Sequence, residues 1–157
     1  MTRLAIRTAV LALVVGIGGG IVATAQEAAP ALKGSLERIK VFGTSLEGNL
    51  MGESASPDVS IYLPPSYAKD RSRRYPVVYL LHGYTGTDLS YFGPAGRQLH
   101  RIAERVYQSG AAREMILVMP NAMNAYGGSM YSNSVTAGNW EGYIADDLVA
   151  YVRTLKQ

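Results

Sequence analysis

The sequence predicts an α/β domain built on a mostly parallel sheet flanked by helices. Two apolar runs and the segment between them carry that reading. Val77-Val78-Tyr79-Leu80-Leu81 and Met115-Ile116-Leu117-Val118-Met119 are apolar throughout, as expected of parallel strands covered on both faces. Between them Leu99, Ile102, Ala103, Val106 and Tyr107 recur at helical spacing, and Gly110 stands where a helix commonly stops. Strand, helix, strand in that order is a βαβ crossover.

The remaining elements follow in chain order. Met1 to Ala25 reads as a secretory signal peptide: Arg3 and Arg7 form the positive region, Ala9 to Val22 the apolar stretch, and Ala23-Thr24-Ala25 the small-x-small cleavage pattern. A membrane anchor is the weaker reading, because the apolar run is shorter than the roughly 20 residues that span a bilayer. Residues 26–47 form the mature N-terminal segment, Ala-rich and loose as far as Gly34. Ile39 to Phe42 and Asn49 to Met51 look like short strands either side of a Gly-containing bend. Val59 to Leu63 alternates, which predicts a strand with one buried face, and Pro64-Pro65 ends it. Tyr67 to Tyr75, with Lys69, Asp70, Arg71, Arg73 and Arg74, reads as a solvated loop. A long polar stretch follows Pro120, in the position where α/β sheets place ligands. Trp140, Ile144, Leu148, Tyr151, Val152 and Leu155 then mark a helix with Asn139 as candidate N-cap.

The length suggests one domain at most. Formal charge is +3, but removing Arg3 and Arg7 from 15 basic residues leaves 13 against 12 acidic ones. That balance argues against nucleic acid or anionic lipid as a partner. With no Cys in the chain, disulfides, thiol catalysis and a lipidated N-terminal cysteine are excluded. No cluster has metal-ligand spacing, and no phosphate-binding loop follows a strand, so neither metal nor cofactor is expected.

The chemistry centres on His82-Gly83-Tyr84. Acyl transfer needs backbone N–H groups aimed at a developing oxyanion, and a turn straight after a buried strand can present them. The Tyr84 N–H is the candidate donor, with His82 and Gly83 forming the turn. A tight strand-to-helix turn with His82 hydrogen-bonded in the core remains the competing reading.

Tyr62-Leu-Pro-Pro-Ser-Tyr67 and Arg74-Tyr-Pro-Val-Val-Tyr-Leu-Leu-His-Gly-Tyr-Thr-Gly86 resemble the opening of the esterase D-like "putative esterase" family of α/β-hydrolases. Met119-Pro-Asn-Ala122, Met130-Tyr-Ser-Asn-Ser134 and Trp140-Glu-x-Tyr143 continue the resemblance in order. The family includes feruloyl and acetyl-xylan esterases, S-formylglutathione hydrolases and mycolyltransferases. The resemblance implies a secreted or periplasmic serine esterase acting on a small-molecule or carbohydrate-linked ester, with residues 48–157 as the N-terminal part of an α/β-hydrolase domain. It also implies a structural role for His82, and a substrate loop holding Ser129, Tyr131, Asn133 and Trp140.

In the family, a strand and a G-x-S-x-G elbow carrying the nucleophile follow the helix matched here by residues 140–156, and the triad's acid and His come later. The sequence stops at Gln157, so no triad member is expected in it. Gly127-Gly-Ser-Met-Tyr131 only approaches the elbow pattern, and no buried strand precedes Ser129. His100 is expected on or near the surface of its helix, and Asp88 as a residue that caps or orients the loop. On this reading Val77–Leu81 presents an unpaired edge, and the chain alone is poorly stable and inactive. Two alternatives are a non-catalytic secreted module that grips carbohydrate or a partner, and an acyltransferase to a sugar using the same acyl-enzyme chemistry.

Overall fold

The computed structural model describes residues 31–70 and 72–155. The leader predicted at 1–25 and residues 26–30 of the N-terminal segment lie outside them. A four-stranded sheet runs in the order β1-β2-β4-β3, with β1 at Ser35–Lys40, β2 at Asp58–Leu63, β3 at Val77–Tyr79 and β4 at Ile116–Pro120.

Only β3 and β4 pair in parallel; β1 with β2 and β2 with β4 are antiparallel. The sheet is therefore mixed rather than mostly parallel. Parallel neighbours need a crossover connection. Here that connection contains α1 (Leu89–Phe92) and α2 (Leu99–Gln108), which lie between β3 and β4. The segments joining β1 to β2 and β2 to β3 carry no α-helix.

Alternate side chains leave the sheet on opposite faces. Val59, Ile61, Ile116 and Val118 pack with Trp140, Tyr143, Leu148 and Val152 of the last helix. Tyr62, Leu117 and Met119 pack with Phe92, Leu99, Ala103 and Tyr107 of the crossover helices. The alternation in β2 predicts one buried face, yet both faces are covered. Its polar atoms are satisfied there: Ser60 Oγ donates to Asp88 and Tyr62 OH to Glu104.

The strand predicted at 77–81 is shorter, and it lies at the sheet edge. Val77, Val78 and Tyr79 are half-buried and Leu81 is exposed. Pro76 carbonyl accepts from Ile116 N–H, and Leu80 N–H donates to Val118 carbonyl. Backbone groups alternate in direction along a strand, so Val77, Tyr79 and Leu81 turn theirs outward.

Other expectations shift by a few residues. The first strand ends at Lys40 rather than spanning 39–42, and Asn49–Met51 forms turns instead of a strand. On α2 the predicted stripe is only partly inward: Ile102 and Val106 are exposed, while His100 and Glu104 are buried. Glu104 is used inside because its carboxylate accepts from Lys33 and Gly34 N–H and from Tyr62 OH.

The last helix runs through α3 (Trp140–Gly142), a π-helical turn (Tyr143–Asp147) and α4 (Leu148–Thr154). Asn139 makes no side-chain cap. Asn133, on the small hairpin of β5 (Asn133–Ser134) and β6 (Gly138–Asn139), accepts from Gly142 N–H instead. In the π turn, Asp147 accepts from Ser45 N–H, and Tyr143 OH donates to Val41 carbonyl.

Candidate functional site

Parallel strands β3 and β4 deliver two loops side by side at their carboxyl ends, residues 80–88 and 121–132. Their facing surfaces enclose a cleft of about 170 Å³ between residues 82–84 and 128–131. Of the residues expected at the site, the cleft brings together His82, Gly83, Tyr84, Ser129 and Tyr131. Asn133 and Trp140 lie elsewhere. Asn133 bonds the start of the last helix, and Trp140 lines a separate cavity with Lys40, Asp58, Asn121 and Met123.

His82 joins the two loops. Its Nε2 accepts from Ala122 N–H at 2.9 Å, and an acceptor at Nε2 leaves the proton on Nδ1, which faces Gly83 carbonyl at 2.9 Å. Both ring nitrogens are thus committed, and a general base needs one free. The ring is 4% exposed and packs edge-on against Tyr131, whose OH donates to the His82 carbonyl. Burial pushes the Tyr131 phenol up to about 12, against the lowering effect of that bond, so it stays a neutral donor.

Further contacts close the seam. Thr85 N–H donates to Gly127 carbonyl at 2.7 Å, and the Tyr84 ring lies against Gly127. At Gly127 (φ 84°) a Cβ would come within 2.6 Å of that ring. The sharp conformation in the first loop belongs to Thr85 (φ 58°) and not to Gly83, whose side of the chain opens onto free space. Met130 and Tyr131 are also left-handed, at φ 55° and 53°. Such conformations cost of order 1–2 kcal/mol each and persist only where surrounding bonds hold them.

Tyr84 is 66% exposed, and among the described residues its N–H has no hydrogen-bond acceptor. It stands at the lip of the cleft as a free backbone donor. Ser129 is buried. Its Oγ accepts from Tyr131 N–H, and no histidine bonds to it. The other histidine, His100, sits among Tyr62 and Phe92 on α2. No serine-histidine pair of a catalytic kind exists among the described residues.

Sequence reasoning missed how the loop is anchored. Asp88 is fully buried and receives two bonds from Arg38 of β1, at 2.7 and 3.1 Å, and one from Ser60 of β2. Arg38 also bridges Asp58, and hydrogen bonding to Asp88 raises its pKa further against the effect of burial. The far end of the 82–88 loop is therefore pinned to the sheet. An acid six residues after His82 was the only available sign, and it named no partner. No group of three or more His, Cys, Asp or Glu among the described residues could hold a metal. No described helix is long and apolar enough to cross a membrane.

Solved structures share this architecture. A ferulic acid esterase matches with TM-score 0.65 at 21% identity, over 80% of this chain and 45% of its own. A second ferulic acid esterase, from Anaeromyces mucronatus and in complex with ferulic acid, matches with TM-score 0.56 at 20% identity, over 83% of this chain and 46% of its own. An S-formylglutathione hydrolase from Agrobacterium tumefaciens gives TM-score 0.58 at 15% identity, over 80% and 46%. The fold is that of α/β-hydrolase esterases, and the chain spans less than half the length of these structures. The model of the family described as "Putative esterase" matches residues 52–157, more than half of the chain, and the chain belongs to that family.

Proposed function

We propose that this chain supplies the oxyanion side of a secreted serine esterase that hydrolyses carboxylic esters. The free Tyr84 N–H at the lip of the cleft carries the reading. When a serine attacks an ester carbonyl, negative charge develops on the carbonyl oxygen, and a backbone N–H fixed beforehand stabilises it without reorganising. His82 holds that donor in place from below and takes no part in proton transfer, since both of its nitrogens are bonded. Among the described residues no serine is paired with a histidine, so on this reading 1–157 alone is inactive. The reading of Met1–Ala25 as a leader supports secretion.

The acyl group on this reading is planar and aromatic. Tyr84 and Met130 border the cleft with 66% and 68% of their surfaces exposed, a setting for ring stacking and for sulfur-aromatic contact. Two of the structures sharing the fold are named as ferulic acid esterases.

Hydrolysis of methyl ferulate and 4-nitrophenyl acetate tests the proposal, using 1–157 alone and the reading frame extended past codon 157. The extended protein is expected to turn both over, and 1–157 to turn over neither. Tyr84→Pro, which removes the N–H, lowers kcat of the extended protein by about 10²–10³. Turnover by 1–157 that Ser129→Ala abolishes overturns the reading, as does full activity in Tyr84→Pro.

A further inference from the structure

A second concave site lies on the same rim of the sheet as the Tyr84 turn. Lys40 pairs with Asp58 and Val59 with Pro120, so ends of β1, β2 and β4 meet there. With Trp140 of α3 they enclose a cavity of about 200 Å³. Ala122 N–H turns to His82 and the cleft, while its neighbours Asn121 and Met123 line this cavity instead. The two sites share no lining residue.

The wall at residues 53–58 is preformed. Asn49 accepts from Glu53 N–H and donates to Glu53 carbonyl, at 2.9 Å in both cases. Gly43 N–H donates to Ala55 carbonyl, Val41 N–H to Pro57 carbonyl and Asn121 N–H to Asp58 carbonyl. Bonds at that density fix an irregular segment, and a site ordered beforehand loses little entropy on binding.

The lining combines two chemistries. Met123, 39% exposed, Pro57 and the Trp140 indole are apolar, and Trp140 Nε1 is committed to Ala137 carbonyl. Glu53, Ser54, Ser56, Asp58, Lys40 and Asn121 bring both acceptors and donors. Asp58 is compensated by Lys40 at 3.1 Å and by Arg38 at 3.0 Å. A lining of mixed sign gives a multivalent ion of either charge little net attraction.

We propose that this cavity binds one sugar ring of a neutral carbohydrate. A pyranose carries hydroxyls on its edge and C–H groups on its faces, and the lining offers partners for each. Carboxylates accept from neighbouring hydroxyls through charge-assisted bonds, the stronger class. The apolar side chains cover the C–H groups that such bonds leave. The volume is below the roughly 300 Å³ at which small-molecule pockets begin, which suits a single ring. The proposal goes beyond ester hydrolysis and makes no use of Tyr84.

Titration of the full chain with cellohexaose, xylohexaose and mannohexaose, followed through amide resonances, provides the test. Saturable shifts are expected over residues 53–58 and 121–123 for at least one of the three. Affinity is expected to change less than about twofold between low salt and roughly 0.2 M salt, because the ligand is uncharged. Glu53→Ala keeps the backbone bonds to Asn49 and is expected to weaken binding roughly tenfold. Glu37→Ala, at an exposed acid of β1 outside the cavity, is expected to leave affinity within about twofold. The wild-type shift map does not depend on any variant folding. No ester hydrolysis is measured, so this proposal and the Tyr84 reading fail separately. Absence of saturable binding to all three sugars overturns the proposal. So do shifts confined to residues 82–84 and 128–131, equal losses in the two variants, or an affinity that salt lowers severalfold.

Discussion

Ala122 N–H donates to Nε2 of His82 across 2.9 Å, tying together the loops that leave two neighbouring parallel strands. The bond is buried and links residues far apart in sequence, so it sets the spacing of the cleft walls. It also gives the turn histidine a structural role that needs no proton transfer.

Replacing His82 therefore reads out in stability. His82→Phe keeps the ring's bulk but leaves Ala122 N–H buried without an acceptor, at a cost of about 1–3 kcal/mol. Urea unfolding should show a lower midpoint with an unchanged slope. A midpoint equal to wild type would mean that the 82–122 bond does not hold the loops.

Gly127→Ala tests the seam from the other side. The substitution places a methyl group within 2.6 Å of the Tyr84 ring on a residue at φ 84°. Conformational strain contributes about 1 kcal/mol, and the ring must move as well. Faster proteolysis within residues 83–88 and 124–131 is expected, together with a loss of about 1–3 kcal/mol in global stability. Unchanged cleavage there would show that Tyr84 does not rest on Gly127.

Much of the architecture was legible before any coordinates, and the omissions share one physical cause. The apolar runs at 77–81 and 115–119 and the helical spacing between them state the βαβ unit, because periodicity is a local property. Burial of a strand depends on its neighbours, so composition could not show that β2 is covered on both faces, and the β3 edge was expected only through the family resemblance. The cleft residues His82, Tyr84, Ser129 and Tyr131 were legible through motifs. Their bonding was not: Asn133 serves a helix start, and Asp88 reaches Arg38 fifty residues away. Thr85 rather than Gly83 takes the left-handed turn, since Gly127 carbonyl across the seam captures its N–H.

Acid should weaken the fold in two stages, both with the same sign. Burial, then the charge of Arg101, lowers the His100 pKa below its usual 6.5, with Glu104 opposing. The unfolded chain then binds more protons than the folded one below that value, so stability falls as pH drops through it. Burial works against ionisation of Glu104, but bonds from Gly34 N–H, Lys33 N–H and Tyr62 OH outweigh it and hold its pKa below the usual 4.5. Its contribution is present above that value and disappears as pH falls through the lowered pKa. Unfolding measured across this range should show both declines, and His100→Phe should remove only the upper one. A variant that keeps the upper decline would assign it to another group.

The Arg38–Asp88 pair should respond asymmetrically to removal of its two halves. Asp88 is fully buried, whereas the Arg38 side chain keeps 41% of its surface in solvent. Arg38→Met strands a buried carboxylate with Ser60 as its remaining donor, and the cost should approach the 3–5 kcal/mol typical of a broken buried pair. Asp88→Asn keeps the side chain's shape and leaves Arg38 to water and Asp58, so it should cost less, about 1–3 kcal/mol. The double variant should be less damaging than the sum of the two, because no buried charge is left unpaired. Equal single costs that add would mean that Asp88 is solvated and does not anchor the loop. The proposed esterase function gives the same pair a second readout in kinetics. If the Tyr84 N–H serves as proposed, a loop released at Asp88 lowers kcat more than it raises KM, because such a donor acts on the transition state rather than on bound ester.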